Sequence, residues 1–192
     1  MQRRKVFLTL FTLLTWLVPL HAAALQLSGR AEVDRSMLSG NVDIQAFIDV
    51  PADLPAAWEV LTDYNRLAEF VPDMESSRIV SKPGEGIKVY QRGKKSWLLV
   101  DMPLELVFRM DETPPSRIRF SLVSGNIGDM HGEWRLSMFG QGVRIKYVAH
   151  MKPGLFSPRV PGDSLLIESD IENMMQSIGR EILRRKNLTT RP

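Results

Sequence analysis

A long amphipathic segment near the C-terminus, residues 163–186, constrains the fold more than any other part of the sequence. Its apolar residues recur every three or four positions and so lie on one face of a helix: Ile167, Ile171, Met174, Ile178 and Ile182, with Met175 and Leu183 beside them. Charged and amide side chains occupy the opposite face. Because such a helix is stabilised mainly by packing of its apolar face, we expect the preceding chain to form a concave sheet that receives it.

Gly179 interrupts this helix beside the apolar face. A glycine inside a helix costs about 1 kcal/mol relative to alanine, so its presence indicates that another group approaches the helix closely. That group is either a side chain from a strand or a bound ligand, and the sequence alone leaves both alternatives open.

The first 24 residues have the pattern of a secretory signal peptide. Three basic residues, Arg3, Arg4 and Lys5, precede an uncharged apolar run over residues 6–20 and the small residues Ala22, Ala23 and Ala24. The alternative is an N-terminal membrane anchor, but the run is shorter than the about 20 residues needed to span a bilayer. We therefore expect cleavage near Ala24 and a periplasmic or secreted mature protein.

Charge and cysteine content exclude several functional classes. Without the leader, the chain has 22 basic and 22 acidic residues, so it lacks the basic footprint of a nucleic-acid-binding protein. The absence of cysteine excludes disulfides, thiolate metal sites and cysteine nucleophiles. We expect one globular domain over residues 41–187, with a lead-in over residues 25–40 and a tail over residues 188–192.

The first part of this domain is predicted to be a strand followed by two short helices. Apolar and polar residues alternate over residues 41–50, which is typical of a half-buried strand. Asp53 can cap a short helix with Pro55 in its first turn. A second short helix is predicted over residues 65–71 and ends at Pro72.

The remainder is predicted to be a run of antiparallel strands before the long helix. Strands are expected over residues 76–81, 87–92, 96–100, 104–111, 117–123, 132–139 and 143–151. Turns are expected at residues 82–86, 113–116 and 140–142, where glycine or proline interrupts the runs. The order of elements predicts an α+β fold in which the helix lies across the sheet.

Residues 57–72 resemble the helical insertion of the START-like (SRPBCC) superfamily, which includes polyketide cyclase/dehydrase-like, coenzyme Q-binding and birch-pollen-allergen-related proteins. The similarity rests on Leu61, Thr62, Asp63 and Tyr64, on Phe70, Val71 and Pro72, and on later segments at residues 77–80, 115–120 and 132–136. It covers about residues 41–185. The resemblance implies a helix-grip fold, in which a curved antiparallel sheet wraps a long C-terminal helix around a cavity for an apolar ligand.

Alternation predicts which side chains face the interior. The candidate ligand-binding residues are apolar or aromatic except for two polar groups and one glycine: Tyr147, Gln91, Trp134, Phe120, Phe108, Met138, Ile171, Met174, Met175, Ile178 and Gly179. Tyr147 and Gln91 could orient a carbonyl or hydroxyl group of a ligand. The alternative is a filled core in which the two polar groups are satisfied by the protein itself.

The sequence indicates no catalytic residue, metal site or cofactor. Outside the leader it has two histidines, His131 and His150. We interpret His131, near Asp129, as a surface residue at the start of a strand, and His150 as solvated because it alternates with Tyr147. No metalloprotease motif or nucleophile elbow is present.

Three functions remain open on this evidence. The first is a non-enzymatic carrier of a hydrophobic small molecule such as a lipid, an isoprenoid or quinone, or a polyketide-like compound. The second is an enzyme of the polyketide cyclase/dehydrase type, and the third is a membrane-surface or interaction module with a collapsed cavity. Leu155 and Phe156, apolar residues before the long helix, could make transient membrane contact; the sequence indicates no protein partner.

Overall fold

A computed structural model describes residues 27–35, 39–97, 100–152 and 163–189. These residues form one antiparallel sheet of eight strands, in the order β1-β2-β8-β7-β6-β5-β4-β3. The strands are β1 (Ser28–Arg35), β2 (Val42–Val50), β3 (Met74–Ile79), β4 (Ile87–Trp97), β5 (Val100–Thr113), β6 (Arg117–Gly125), β7 (Asp129–Phe139) and β8 (Gly142–Lys152). The helices are α1 (Leu54–Thr62), a 3₁₀ helix (Leu67–Glu69) and α2 (Asp163–Thr189). The predicted α+β helix-grip fold is confirmed.

The start of α1 forms as the sequence predicts. Asp53 is the N-cap, and its Oδ1 accepts a hydrogen bond of 2.9 Å from the backbone N–H of Ala56. Pro55 lies in the first turn, where a missing N–H is tolerated. The helix buries Val60 and Leu61 against the core.

The second predicted helix is shorter than expected. Instead of covering residues 65–71, it is the single 3₁₀ turn Leu67–Glu69. The side chain of Asn65 accepts a hydrogen bond of 2.9 Å from the backbone N–H of Ile79 in β3, and Pro72 disfavours helical geometry at the residue before it. Both ends of the segment are therefore held in non-helical conformations.

The prediction of three strands over residues 87–111 is wrong. The structure has two long strands instead, paired without interruption from Ile87↔Met110 to Trp97↔Val100. Charged residues over positions 92–95 and Pro103 break the apolar alternation in the sequence. The backbone ladder does not require that alternation, so the hairpin extends through the polar segment.

The lead-in contains a strand of the sheet. β1 pairs with β2 along its whole length, and Ala31 lies opposite Ala46 and is 1% exposed. The backbone N–H of Ala31 also donates a hydrogen bond of 3.3 Å to Glu172 Oε1 of α2. Residues 28–35 therefore connect the edge of the sheet to the long helix.

One half of the interior is a filled core. α2 packs against β1, β2 and α1, and the side chains Met175, Ile178 and Ile182 of its second half are at most 2% exposed. Ile48 of β2 is fully buried among them. No helix in the described ranges combines the length and the apolar character needed to cross a bilayer.

A cluster of charged side chains fastens the end of α2 to the end of α1. We call Asp63, Glu181, Arg184 and Arg185 the C-terminal charge cluster. Arg185 contacts Glu181 at 2.7 Å and Asp63 at 2.9 Å, and Arg184 contacts Glu181 at 2.6 Å. The hydrogen bond from Arg184, and after it the bond from Arg185, lowers the pKa of Glu181 from 4.5 to about 2. Glu181 is therefore ionised at neutral pH although its side chain is buried.

Candidate ligand-binding site

The inner face of the sheet carries a cluster of aromatic side chains from four neighbouring strands. We call Phe108, Phe120, Trp134 and Tyr147 the aromatic cluster. The ring centroid of Phe120 lies 5.6 Å from that of Phe108, and these two rings pack edge to face. It lies 5.8 Å from the ring centroid of Tyr147, and these two rings are stacked. Trp134 and Tyr147 have centroids 4.4 Å apart. Rings at these distances attract one another, so the four side chains form a continuous aromatic surface.

Gly132 leaves space for the Phe120 side chain of the aromatic cluster. It lies opposite Phe120 in the β6–β7 pairing and opposite Ala149 in the β7–β8 pairing. A Cβ atom at position 132 would lie only 2.6 Å from Phe120 Cζ. The glycine therefore allows the Phe120 ring to lie directly against the backbone of β7.

The Tyr147 hydroxyl is a buried polar group of the aromatic cluster. Tyr147 is 5% exposed, and burial raises the pKa of its phenol, so the hydroxyl keeps its proton. Within the described residues, no hydrogen bond of this hydroxyl is found. It can therefore donate a hydrogen bond to an acceptor on a ligand.

Two sets of apolar side chains that pack against the core are only partly buried, one on the strands of the aromatic cluster and one on α2. On the sheet these are Leu122, Met130, Trp134 and Met151, and on the first half of α2 they are Ile167, Ile171 and Met174. The first turn of α2 is more open still, with Leu165 69% exposed and Leu166 54% exposed. The filled core at the C-terminal half of α2 thus gives way to accessible apolar surface at its N-terminal half.

The structure brings together some of the predicted ligand-binding residues and separates others. Phe108, Phe120, Trp134 and Tyr147 form the aromatic cluster, while Gln91 is half-buried on the same face, opposite Leu106 and Ser77. Ile171 and Met174 lie on the partly exposed half of α2.

Four predicted residues lie elsewhere. Met175 and Ile178 are at most 2% exposed in the filled core. A Cβ atom on Gly179 would lie 2.9 Å from Ile48 Cδ1 and 3.0 Å from Leu27 Cδ1. The group that approaches Gly179 closely is therefore a pair of protein side chains, Ile48 and Leu27, rather than a bound ligand. Met138 has the inward register but is 58% exposed, near the β7–β8 turn.

The sequence analysis missed a carboxylate on the inner face. Glu112 of β5 lies opposite Ile118, which is 1% exposed, and its Oε1 accepts a hydrogen bond of 2.7 Å from the hydroxyl of Tyr64. Burial, and then this bond to Glu112, raises the pKa of Tyr64. The period-two pattern of Phe108 and Met110 continues to Glu112 and could have identified it, but the predicted strand ended at residue 111.

The two histidines lie on the outer face, away from the aromatic cluster. The side chain of His131 is 57% exposed and that of His150 is 51% exposed, so the interpretation of both as surface residues is confirmed. Within the described ranges, no group of three or more His, Cys, Asp or Glu side chains is arranged to hold a metal ion. The predicted cleavage point at Ala24 and the apolar residues Leu155 and Phe156 lie outside the described residues.

Comparisons with known proteins agree with this architecture. A family model described as polyketide cyclase / dehydrase and lipid transport matches residues 50–177. No curated protein matches the chain in sequence.

Solved structures similar to this chain have the same fold. An aromatase/cyclase, Zhui, from Streptomyces sp. R1128 aligns with a TM-score of 0.64 and 17% identity over 76% of this chain and 95% of its own. A STAR-related lipid transfer protein from Xanthomonas axonopodis aligns with a TM-score of 0.63 and 15% identity over 82% and 97% of the two chains. A START superfamily protein from Mycobacterium smegmatis aligns with a TM-score of 0.63 and 10% identity over 74% and 97%.

Proposed function

The chain belongs to the polyketide cyclase/dehydrase and lipid transport family, and from this premise we propose that it binds and carries a hydrophobic small molecule. The ligand is a lipid, an isoprenoid or quinone, or a polyketide-like compound. It would lie between the inner face of β5–β8 and the first half of α2. Solved structures with this fold include both a lipid transfer protein and an aromatase/cyclase.

The observation that carries the proposal is the partly buried apolar surface on the strands of the aromatic cluster and on the first half of α2. Trp134, Met130 and Leu122 on the sheet and Ile171 and Met174 on α2 are apolar yet only partly buried. Apolar surface that stays exposed in a folded domain is typical of a binding site when it is contiguous.

The physical basis of binding would be burial of the ligand's apolar surface. At about 25 cal/mol per Å², burial of about 300 Å² contributes roughly 7 kcal/mol before the entropic costs of association. The Tyr147 hydroxyl would add a hydrogen bond that fixes the orientation of a carbonyl or hydroxyl group. Gln91, half-buried on the same face, supplies a second donor and acceptor.

An enzyme of the polyketide cyclase/dehydrase type is the second candidate function. The observation that favours it is Glu112, a carboxylate on the inner face that accepts a hydrogen bond from Tyr64. A carboxylate beside a folded polyketide-like substrate could act as a general base. Under this alternative, Glu112→Gln would abolish turnover without abolishing ligand binding.

Export to the periplasm or the exterior is part of the proposal. It is supported by the basic, apolar and small-residue segments of residues 1–24. Intact-mass measurement of the protein from its native host would show a chain beginning near Leu25, and a chain that retains residues 1–24 would contradict cleavage. The apolar residues Leu155 and Phe156 are proposed to touch the membrane transiently during ligand exchange.

Native purification followed by mass spectrometry of extracted small molecules tests the proposed function. A carrier is expected to release an apolar compound unchanged, in about one equivalent per chain. An enzyme would convert that compound on incubation. A protein that never retains an apolar compound, even after exposure to total lipid extract, would contradict binding and favour the interaction module.

Replacing Tyr147 with phenylalanine is expected to weaken binding of a carbonyl- or hydroxyl-containing ligand by roughly fivefold, about 1 kcal/mol. Stability should change little, because the hydroxyl has no hydrogen bond within the described residues to lose. Ligand titration and urea unfolding measure the two quantities. Tyr90→Phe is the matched control, since Tyr90 lies under Arg78 at 4.3 Å and alternates with the inward Val89 and Gln91. Equal effects of both variants on binding would contradict the role of Tyr147.

A further inference from the structure

The two histidines of the folded domain face each other across neighbouring strands on the outer side of the sheet. The register pairs His131 of β7 directly with His150 of β8, and their ring centroids are 5.3 Å apart. Both side chains are about half exposed. The sequence analysis placed each histidine at the surface but could not show that the two rings meet, because the β7–β8 register decides this.

Each imidazole is held by a carboxylate through the same ring nitrogen. His131 Nδ1 lies 3.4 Å from Asp129 Oδ2, and His150 Nδ1 contacts Asp43 Oδ1. In known metal sites a carboxylate beside Nδ1 orients the imidazole so that its Nε2 can bind the ion. Within the described part of the chain, neither Nε2 atom has a hydrogen-bond partner. Both are therefore available as ligands.

We propose that His131 and His150 chelate one divalent transition-metal ion of borderline softness, such as Zn²⁺, through their Nε2 atoms. Imidazole nitrogen is a preferred ligand of such ions. Two imidazoles that bind one zinc ion at about 2.0–2.1 Å have ring centroids about 5 Å apart. The observed separation of 5.3 Å meets this requirement without any change in the spacing of the strands.

The surroundings provide outer ligands and space for water. Asp43 and Asp129 occupy the positions of the carboxylates that orient metal-bound histidines in known metal sites. The histidines line an open groove of about 520 Å³, together with Asp111, Arg119, Ser121 and Glu133. Glu133 is paired with Arg135 and is not counted as a ligand. Water would complete the coordination, since the described residues offer no third side chain in place.

The consequence is a metal site with open coordination positions on the face opposite the proposed ligand-binding site. An ion held by two protein ligands binds more weakly than a structural ion held by four, and it remains open to water or an anion. Because the two histidines lie on different strands, a bound ion would also link β7 to β8 and stabilise the folded state.

Zinc titration of the untagged full chain by calorimetry tests the proposal, with thermal unfolding as a second readout. The wild-type protein is expected to bind one Zn²⁺ per chain and to unfold at a higher temperature in its presence. His131→Ala and His150→Ala should each remove saturable binding. Asp43→Asn should weaken it by about tenfold or more. Asp111→Asn is the matched control and should leave zinc binding unchanged, because Asp111 lines the same groove but, among the described residues, makes no ion pair with either histidine.

Several outcomes would overturn the proposal. They are absence of saturable zinc binding by the wild-type chain, binding that survives in the double variant, and binding that depends on one histidine but not on the other. Since both side chains are half exposed, neither substitution should prevent folding, and circular dichroism without metal checks this. If alanine does destabilise the hairpin, His131→Gln and His150→Gln keep side-chain volume and repeat the test.

Discussion

Replacing Gly179 with leucine is expected to lower the free energy of unfolding by about 3 kcal/mol, because the new side chain overpacks the filled core. A single Cβ atom at this position already lies 2.9 Å from Ile48 Cδ1 and 3.0 Å from Leu27 Cδ1. Both neighbours are ends of flexible side chains, so alanine would be tolerated by small movements, but the larger leucine side chain would not. Urea unfolding of the purified protein measures the effect.

A matched control and a double-mutant cycle sharpen this result. Asn173→Leu adds a leucine at an exposed position of the same helix and should change stability by less than about 0.5 kcal/mol. Ile48→Val removes the Cδ1 atom, so it should partly offset the cost of Gly179→Leu and make the two changes non-additive. A stable Gly179→Leu protein that has lost ligand uptake would instead place this glycine in the ligand-binding site.

Replacing Arg185 with methionine is expected to destabilise the protein by about 3 kcal/mol, since it removes one partner from a largely buried ion cluster. Arg185 is 14% exposed and contacts both Glu181 of α2 and Asp63 after α1. Its loss leaves buried Glu181 with Arg184 alone and detaches the end of α2 from α1. Urea unfolding at pH 7 measures the loss, with Arg92→Met as the control, because Arg92 and its partner Glu75 are 50% and 32% exposed and lie outside the cluster.

The same cluster makes a prediction for acid pH. The pKa of Glu181 is about 2 in the folded protein, below its ordinary 4.5, so its contribution to stability is complete above pH 4.5 and is lost as the pH falls toward 2. The stability difference between the wild type and Arg185→Met should therefore shrink between pH 4.5 and pH 2. A difference that stays constant across this range would show that Arg185 acts through packing rather than through Glu181.

The two halves of α2 differ in burial. Its second half buries Met175, Ile178 and Ile182 and is fastened by the C-terminal charge cluster, whereas its first half keeps Ile171 and Met174 partly exposed. Substitutions in the second half are therefore expected to affect stability first. Substitutions in the first half, or in the aromatic cluster, are expected to affect ligand binding first.

Local periodicity in the sequence determined most of the elements. The 3.6-residue repeat after Asp163 specified α2, alternation specified β2, β6 and β8, and Asp53 with Pro55 specified the start of α1. These signals are local, because each depends on neighbours within one or two turns or on one strand. Alternation also selected the four members of the aromatic cluster correctly as inward residues.

Only the tertiary structure decided which inward residues meet each other. Met175, Ile178 and Gly179 share the apolar side of α2 with Ile171 and Met174, but only the first three are buried. Ile48 of β2 and Leu27 approach the helix at Gly179. The approach of Ile48 to Gly179, the bond from Tyr64 to Glu112 and the pairing of His131 with His150 each join residues far apart in the chain. Strand register and helix placement set such contacts, and no period within one segment encodes them.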